Sequence, residues 1–566
     1  MAASVRHLAQ RLTGRGIEPA PVLMRTVCVG VAILILLPAG AILVNALADP
    51  DGPGLTLSHF GDLLKSGQFG RALRNTIESA LLAATGATVL GVTLAWLVAR
   101  TDMPFRRLFH VLNLIPFFLS PFVGALAWQL LAAPKTGLLN KLATDVGPFS
   151  DSPINVFSLG GLVWVLILFY TPYVYLFCYG PMQTLDQALE DAAFVSGAGR
   201  VRTTLRITLP LLAPAIFSGF LITFVTSAEI FDIPVLLTAP VDVPTLSTMI
   251  YESVQYPTNY NRAAAISMTL VLITLLGVWL QRRYAARRSF ATITGKGYRP
   301  RRTALRGWRW PALALQVGFA AVAVVLPILG LLAAATSPIW LGKVNFDVLT
   351  LENFRFVIFD YDLTRIAFRN SMILALAGAT LGCVIAFMVS HIVHRQKGRL
   401  RGALDAVTTL PIGIPGIVLA LGTLLVWIRT PLYGTLFILL LAYLTRFLPY
   451  ASRGVSSGLV SISPELEESA RVSGAGWLAT IRRVLAPLLR PSLVAAWVML
   501  FVIFVRELST SVLLYRGGTE TMSVAMLILS ERNLPYTAAY ALLQTALLLG
   551  VVGVFSLIFR LEAPKV

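Results

Sequence analysis

Apolar runs of about 20 residues or more, separated by short polar segments, constrain this chain more than any other feature. The first opens at Arg25 and extends to about Ala48, and five more lie near 75–99, 108–132, 157–180, 211–238 and 263–281. A second set lies near 310–336, 370–392, 404–428, 435–452, 488–515 and 538–559. Each is long enough for a helix to cross a hydrocarbon core of about 30 Å. Inside lipid every backbone N–H and C=O must bond within the protein, so helices are what such runs allow. The expectation is an all-α polytopic membrane protein with about 12 transmembrane helices in two homologous six-span halves. The opening run resembles a secretory leader only superficially. It is too long for a leader's apolar region and lacks a convincing cleavage site, so a retained span is expected.

Charge placement sets the orientation. Charged residues make up 13% of the chain and its mean hydropathy is +0.76, against about 25% charged residues in soluble domains. The net charge of +19 would suit nucleic acid, but the Lys and Arg residues cluster between apolar runs, so the expected partner is the lipid bilayer and no nucleic acid. Between Gln281 and Trp310 stand Arg282, Arg283, Arg287, Arg288, Lys296, Arg299, Arg301, Arg302, Arg306 and Arg309, with no acid. Short loops this basic stay inside. Arg100, Arg106 and Arg107 mark a second inside loop, and His394, Arg395, Lys397, Arg399 and Arg401 a third. Both termini are therefore expected in the cytoplasm. Cys28, Cys178 and Cys383 lie in apolar runs and supply neither a disulfide framework nor zinc spacing.

One stretch occurs twice. Leu185–Ile216 and Ile462–Leu493 match without a gap at about 14 of 32 positions, and both contain Val-Ser-Gly-Ala-Gly before a Pro-Leu-Leu-x-Pro that opens an apolar run. Each copy reads as a polar helix, a glycine turn, a short basic helix and a span. In the second copy Ser463 suits an N-cap, with Pro464 at the first helical position. Glu465, Glu467 and Glu468 follow where the helix dipole favours carboxylates. Leu466, Ser469, Ala470 and Ser473 share a narrow face, and Gly474 and Gly476 can supply a turn with positive φ. Trp477, Ile481, Val484 and Leu485 are expected against the membrane surface, with Arg482 and Arg483 reaching headgroups. The product is a small exposed knob close to the bilayer.

The duplication extends further. Arg74-Asn75-Thr76 opens the second span and Arg369-Asn370-Ser371 the eighth; Pro116 and Pro121 interrupt the third, Pro411 and Pro415 the ninth. Neighbouring groups must then bond the backbone atoms those prolines free. The expected layout is a cytoplasmic tail (1–24), a first half (25–281, knob 182–210), a basic linker (282–309), a second half (310–560, knob 459–487) and a short tail (561–566). Two parallel halves would be related by an axis along the membrane normal, with a pathway between them.

Candidate sites are few. Gly295-Lys296-Gly297 lacks the upstream glycine and the following Ser or Thr of a phosphate-cradling loop, so no ATPase site is expected in this chain. His391 and His394, three residues apart at a basic helix end, suit dipole and lipid contacts better than a metal. Charged residues within spans are functional candidates by default. Glu229 and Asp232 share a face of the fifth span, and Arg506 and Glu507 stand at the matching depth of the eleventh, Arg506 aligned with Glu229. Counting from Pro214 puts Glu229 roughly 22 Å into the core, in its outer half. A gate or cation path is one reading and a packing salt bridge the other. Glu78, near the outer end of the second span, reads as interfacial.

The knob resembles the cytoplasmic loop of ABC-importer membrane subunits: Glu-Ala-Ala, three residues, Gly, nine residues, Ile-x-Leu-Pro. It stands here as Asp191-Ala192-Ala193, Gly197 and Ile207-Thr208-Leu209-Pro210, then as Glu468-Ser469-Ala470, Gly474 and Val484-Leu485-Ala486-Pro487. Asp191, Ser469, Val484 and Ala486 depart from the pattern, which bears on equal coupling strength in the two halves. The resemblance implies that Glu190, Asp191, Ala192, Ala193 and Gly197, with Glu467, Glu468, Ser469, Ala470 and Gly474, couple to ATPase subunits. Phe231-Asp232-Ile233-Pro234, Leu410-Pro411 with Pro415-Gly416, and Glu507-Leu508-Ser509-Thr510-Ser511-Val512-Leu513-Leu514 resemble the fused permeases of ferric-iron importers. This implies an inner-membrane transport subunit, not an enzyme, whose partners are two ABC ATPase copies holding ATP and Mg, and a periplasmic substrate-binding protein. Related permeases carry thiamine, polyamines, aminoalkylphosphonates, sulfate or molybdate. An ion-coupled secondary transporter also uses repeats but needs no matched knobs. A scaffold without transport gives the broken spans no purpose.

Overall fold

In a computed structural model, residues 19–49, 52, 54–147, 151–185, 188–287, 303–396 and 399–558 are described. Residues 1–18, the C-terminal tail and most of the basic linker, Ser289 included, lie outside them, while residues 19–24 of the expected N-terminal tail continue the first helix, Pro19–Leu47. The structure is 79% helix and has no strand among the described residues. Ten helices are long and apolar enough to cross a membrane, and two bent pairs bring the number to 12 if each pair counts as one span. The bent pairs are the third and ninth runs, Arg106–Phe118 with Pro121–Ala132 at 98° and Arg401–Gly413 with Gly416–Trp427 at 111°. Here the prolines break the span outright, because a ring that lacks N–H and crowds the preceding turn cannot continue it.

The breaks are satisfied as the chemistry requires. Pro121 offers no N–H to the carbonyl four residues back, that of Phe117. Arg506 Nη1 donates to Phe117 O at 2.6 Å and to Leu119 O at 3.0 Å. At the other break Thr274 Oγ1 donates to Gly413 O at 2.7 Å. Each broken span is thus stitched by a residue from the opposite half of the sequence.

Several boundaries move from their expected places. The fifth and eleventh spans are Thr204–Glu229 and Trp477–Arg506, so both begin and end earlier than the apolar runs do. The second and eighth lengthen to Gly67–Arg100 and Asp362–Arg395, 34 residues each. Their amphipathic outer turns carry polar residues that a hydropathy window discards.

The chain sorts into two units that do not follow the sequence halves. One comprises Met1–Leu37, Leu376–Ile412 and Tyr443–Phe501, the other Pro38–Ala375, Gly413–Ala442 and Val502–Val566. In the first, the eighth and eleventh spans touch through Trp497 Nε1, which donates to Thr380 Oγ1 at 3.1 Å. In the second, Gly91 lets the second span meet the fourth so closely that an added Cβ would stand 2.8 Å from Val174. The same unit buries a polar pair, Asn113 Nδ2 donating to Gln316 Oε1 at 3.1 Å, while Gln316 Nε2 donates to Leu94 O at 3.3 Å. Cys178 and Cys383 are buried free thiols and Cys28 is a half-buried one.

Candidate functional site

The knobs repeat residue for residue. The polar helices are Ala188–Val195 and Glu465–Val472, followed by the short helices Arg200–Thr203 and Trp477–Thr480; in the second copy the expected basic residues, Arg482 and Arg483, lie in the turn beyond. Each short helix widens into a π-helical turn, Thr204–Thr208 and Ile481–Leu485, before Leu209–Glu229 and Ala486–Arg506 continue the span. Every boundary in the second copy lies 277 positions after its counterpart. The π turns have a cause in Pro210 and Pro487: the wider turn relieves the clash between each ring and the carbonyl four residues back.

Glycine supplies the turn as the sequence implies. Gly197 has φ +79° and Gly474 +84°, and a Cβ at either would meet nothing within 4 Å, so backbone conformation rather than space selects glycine. Ala198 N donates to Ala193 O at 2.9 Å and Ala475 N to Ala470 O at 3.0 Å, the long bond of a Schellman cap. The last Ala of each motif is therefore the carbonyl that receives this bond. Gly476 has φ −68° and takes no part in the left-handed turn, because a single such residue completes the cap. Ser463 caps nearly as expected, its Oγ accepting from Glu465 N at 3.4 Å, with the helix assigned from Glu465.

The two leading carboxylates face inward. Glu190 Oε2 accepts from Arg100 Nη2 at 2.6 Å and its Oε1 from Thr208 Oγ1 at 2.7 Å. Glu467 Oε1 accepts from Arg395 Nε at 2.6 Å, with His391 Nε2 3.5 Å from its Oε2. Arg100 also donates to Leu185 O at 3.2 Å, and Arg395 to the matching Ile462 O at 2.8 Å. These pairs are almost dry, with side chains 3% and 11% exposed in the first and 13% and 6% in the second. Arg100 and Arg395, which the sequence offers only as marks of orientation, hold the knobs in place.

The remaining motif residues face outward. Glu468, Ser469, Gly474 and, in the first copy, Ala192 and Gly197 are exposed, whereas Ala193 and Ala470 are half-buried. The side chain of Asp191 lies outside the described residues. Val195 and Val472, each two residues before its glycine, are each 89% exposed. The expected membrane-facing set is corrected in part. Leu485 is buried and Trp477 packs edge-on to His391 at 6.4 Å, so these two face protein. His391 is buried toward Glu467 while His394 is exposed, so the two share no site. No group of three His, Cys, Asp or Glu residues able to hold a metal occurs among the described residues.

The charged residues of the spans gather where helices end. Glu229 and Arg506 are the last residues of their spans, and an extended residue, Ile230, follows Glu229. Ser509 Oγ donates to Asp232 Oδ1 at 2.7 Å, both side chains buried. Asp232 and Ser509 occupy equivalent positions in the repeat, and a contact between equivalents is what a two-fold relation places on its axis. Tyr170 Oη donates to Thr226 O at 3.2 Å, about one turn before Glu229. Glu507 instead organises its own turn, its Oε1 accepting from Thr510 N at 2.8 Å. Arg506 is engaged by the break carbonyls. Glu78 pairs at the surface with Arg74 at 3.3 Å, as an interfacial residue would.

Comparison with known proteins gives the family. The family described as "Binding-protein-dependent transport system inner membrane component" matches twice, over residues 87–290 and 378–566. The ferric transport system permease protein FbpB of Actinobacillus pleuropneumoniae is 26% identical over 476 residues, 82% of this chain and 67% of the relative. The Fe(3+)-transport system permease protein FbpB 2 of Haemophilus influenzae is 24% identical, covering 84% and 86%. The spermidine/putrescine transport system permease protein PotB of Escherichia coli is 28% identical over 177 residues, 31% of this chain and 63% of the relative. A solved bacterial ABC transporter that imports alginate covers 51% of this chain and 100% of its own at 21% identity, with a TM-score of 0.40. With two copies of the family's domain in one polypeptide, the chain belongs to the binding-protein-dependent ABC importer permeases of the bacterial inner membrane.

Proposed function

We propose that this permease carries ferric iron inward, driven by two ABC ATPase subunits that bind ATP and Mg and dock on the two knobs. The observation that carries the coupling is the pair of matched knobs, each fixed by a buried Glu–Arg pair and each presenting an 89% exposed valine beside its glycine turn. An apolar residue so exposed on a rigid polar helix suits a protein partner. A binding protein would deliver substrate from the periplasm, and nucleotide-dependent closure of the ATPases would shift the permease between inward-open and outward-open states. The basic linker favours cytoplasmic termini and cytoplasmic knobs. A cysteine at Thr258 should then react with an impermeant thiol reagent in intact cells and one at Ser289 should not.

Iron is favoured by ferric-transport relatives that span most of the chain and by the carboxylates Glu229 and Asp232 at the end of the fifth span. Hard carboxylate oxygens suit a hard cation. A polyamine is the second reading, since a relative named for spermidine and putrescine matches part of the chain and such amines also pair with carboxylates. Proteoliposomes holding the permease, its ATPase and its binding protein should take up labelled ferric iron in an ATP-dependent manner, and not thiamine, spermidine or a phosphonate. Transport of spermidine without iron would replace the substrate and leave the importer mechanism standing.

A further inference from the structure

The spans Gly67–Arg100 and Asp362–Arg395 are the same length, and neither contains a proline or a π turn. Helices without such interruptions bend little. Each carries two polar grips 25 positions apart, Asn75 and Arg100 in one, Asn370 and Arg395 in the other.

At the inner grip of the second span, Arg100 holds Glu190 and the carbonyl of Leu185, at the entry to the knob. At the other grip, Asn75 Nδ2 donates to Pro244 O at 2.9 Å and Thr76 Oγ1 accepts from Leu246 N at 2.9 Å. Leu246 opens the short helix Leu246–Val254, which Thr245 caps. Ser247 on that helix donates to Ile230 O at 2.7 Å, the extended residue between Glu229 and Asp232. One helix is therefore bonded to the knob at one end and, through a single short helix, to the backbone of the charge cluster at the other. The two grips stand about 37 Å apart at helical rise.

The eighth span bears matching side chains in the same roles, with Ser371 in place of Thr76. Arg395 holds Glu467. Asn370 Nδ2 donates to Gly518 O and Glu520 O at 3.0 Å, and Ser371 Oγ accepts from Met522 N at 2.8 Å. Met522 opens Met522–Ser530, capped by Thr521. Local folding alone does not require four grips to match in pairs.

We propose that Arg100 and Arg395 are positioning residues that clamp each knob to a stiff helix, and that Asn75–Thr76 and Asn370–Ser371 pass the helix's displacement to the short helices 246–254 and 522–530. This rests on the knobs being ATPase docking sites. The coupling then runs through side-chain pairs on an unbroken rod, and the proline-kinked, π-bulged fifth and eleventh spans are not needed to transmit it.

Hydrogen exchange on the full permease–ATPase complex, with and without ATP and vanadate, tests it and needs no knowledge of the substrate. In the wild type, nucleotide trapping should change exchange at 188–203 and at 246–254. Arg100→Gln and Asn75→Leu should each keep the ATPase bound and the 188–203 response intact, while the 246–254 response falls at least fivefold. The 522–530 response should persist in both, which a general loss of stability would not allow. The exchanged pair Arg100→Glu with Glu190→Arg should restore the response at 246–254. A wild-type response at 246–254 in both single variants overturns the inference, as does its absence from the wild type. Failure of the wild-type permease to hold an ATPase would instead overturn the docking reading, and this inference with it.

Discussion

The two knobs solve one electrostatic problem with different residues. In each, an arginine from the end of a 34-residue span satisfies one oxygen of a buried glutamate. The other oxygen needs a partner too, because a buried carboxylate left short of hydrogen bonds is costly. The first knob takes that partner from the π turn, Thr208, where the second has Leu485. The second takes it from its own span, His391, where the first has Trp96. A polar residue lost on one side of the carboxylate is replaced on the other. The fixed quantity is thus the saturated carboxylate, held by an arginine, and the identity of its neighbours is free to vary. A neutral hydroxyl and an ionisable imidazole nevertheless differ in what they can compensate.

The sharpest break of the comparison removes both turns. Proline cannot adopt φ near +80°, so Gly197→Pro with Gly474→Pro should lower ATP-driven uptake roughly a hundredfold or more while membrane insertion is retained. Uptake by the double variant in proteoliposomes at the wild-type rate would remove the knobs from the mechanism.

Next come the arginines. Arg100→Met and Arg395→Met each strand a buried carboxylate, at about 3–5 kcal/mol, measurable as a lower unfolding temperature of the purified permease. Smaller effects should follow loss of the second partner, with Thr208→Val costing about 1.5–3 kcal/mol in the same measurement.

How much of this was legible depends on the range of the interaction. The glycine turn and the broken third and ninth spans follow from local rules on positive φ and proline, and they appear where the sequence puts them. The equivalence of Arg74-Asn75-Thr76 and Arg369-Asn370-Ser371 was visible as pattern, but its purpose was not. Asn75 bonds a carbonyl 169 positions away, and no periodicity carries that pairing. For the same reason Arg100 reads as an orientation charge although its side chain is 3% exposed. Glu467 stands next to the exposed motif acid Glu468 in sequence, yet it is buried, because adjacent helical positions lie about 100° apart. The π turns left only one trace, the paired Pro210 and Pro487.

A weaker contrast lies at the linker, where the first half has a strap that the sequence did not suggest. Asp102 accepts from Leu305 N at 2.8 Å and pairs with Arg309. The Leu305 N–H first, and then Arg309, hold its carboxyl below the usual range. A carboxyl depressed by folding contributes stability that is present above its unfolded value and lost as pH falls through its folded one. Hydrogen exchange at 303–309 should therefore quicken below about pH 4, and Asp102→Asn should remove that dependence.

The matched docking of the knobs is tested most directly where they are most exposed. A photoreactive residue placed at Val195 or at Val472 of the full chain, irradiated in native membranes, should trap an ABC ATPase, identified by mass spectrometry through its phosphate-binding loop. Capture of that same subunit from both positions is the expected result. Crosslinks to lipid alone, or an ATPase captured from neither position while uptake is normal, would contradict the coupling of this permease through its two knobs.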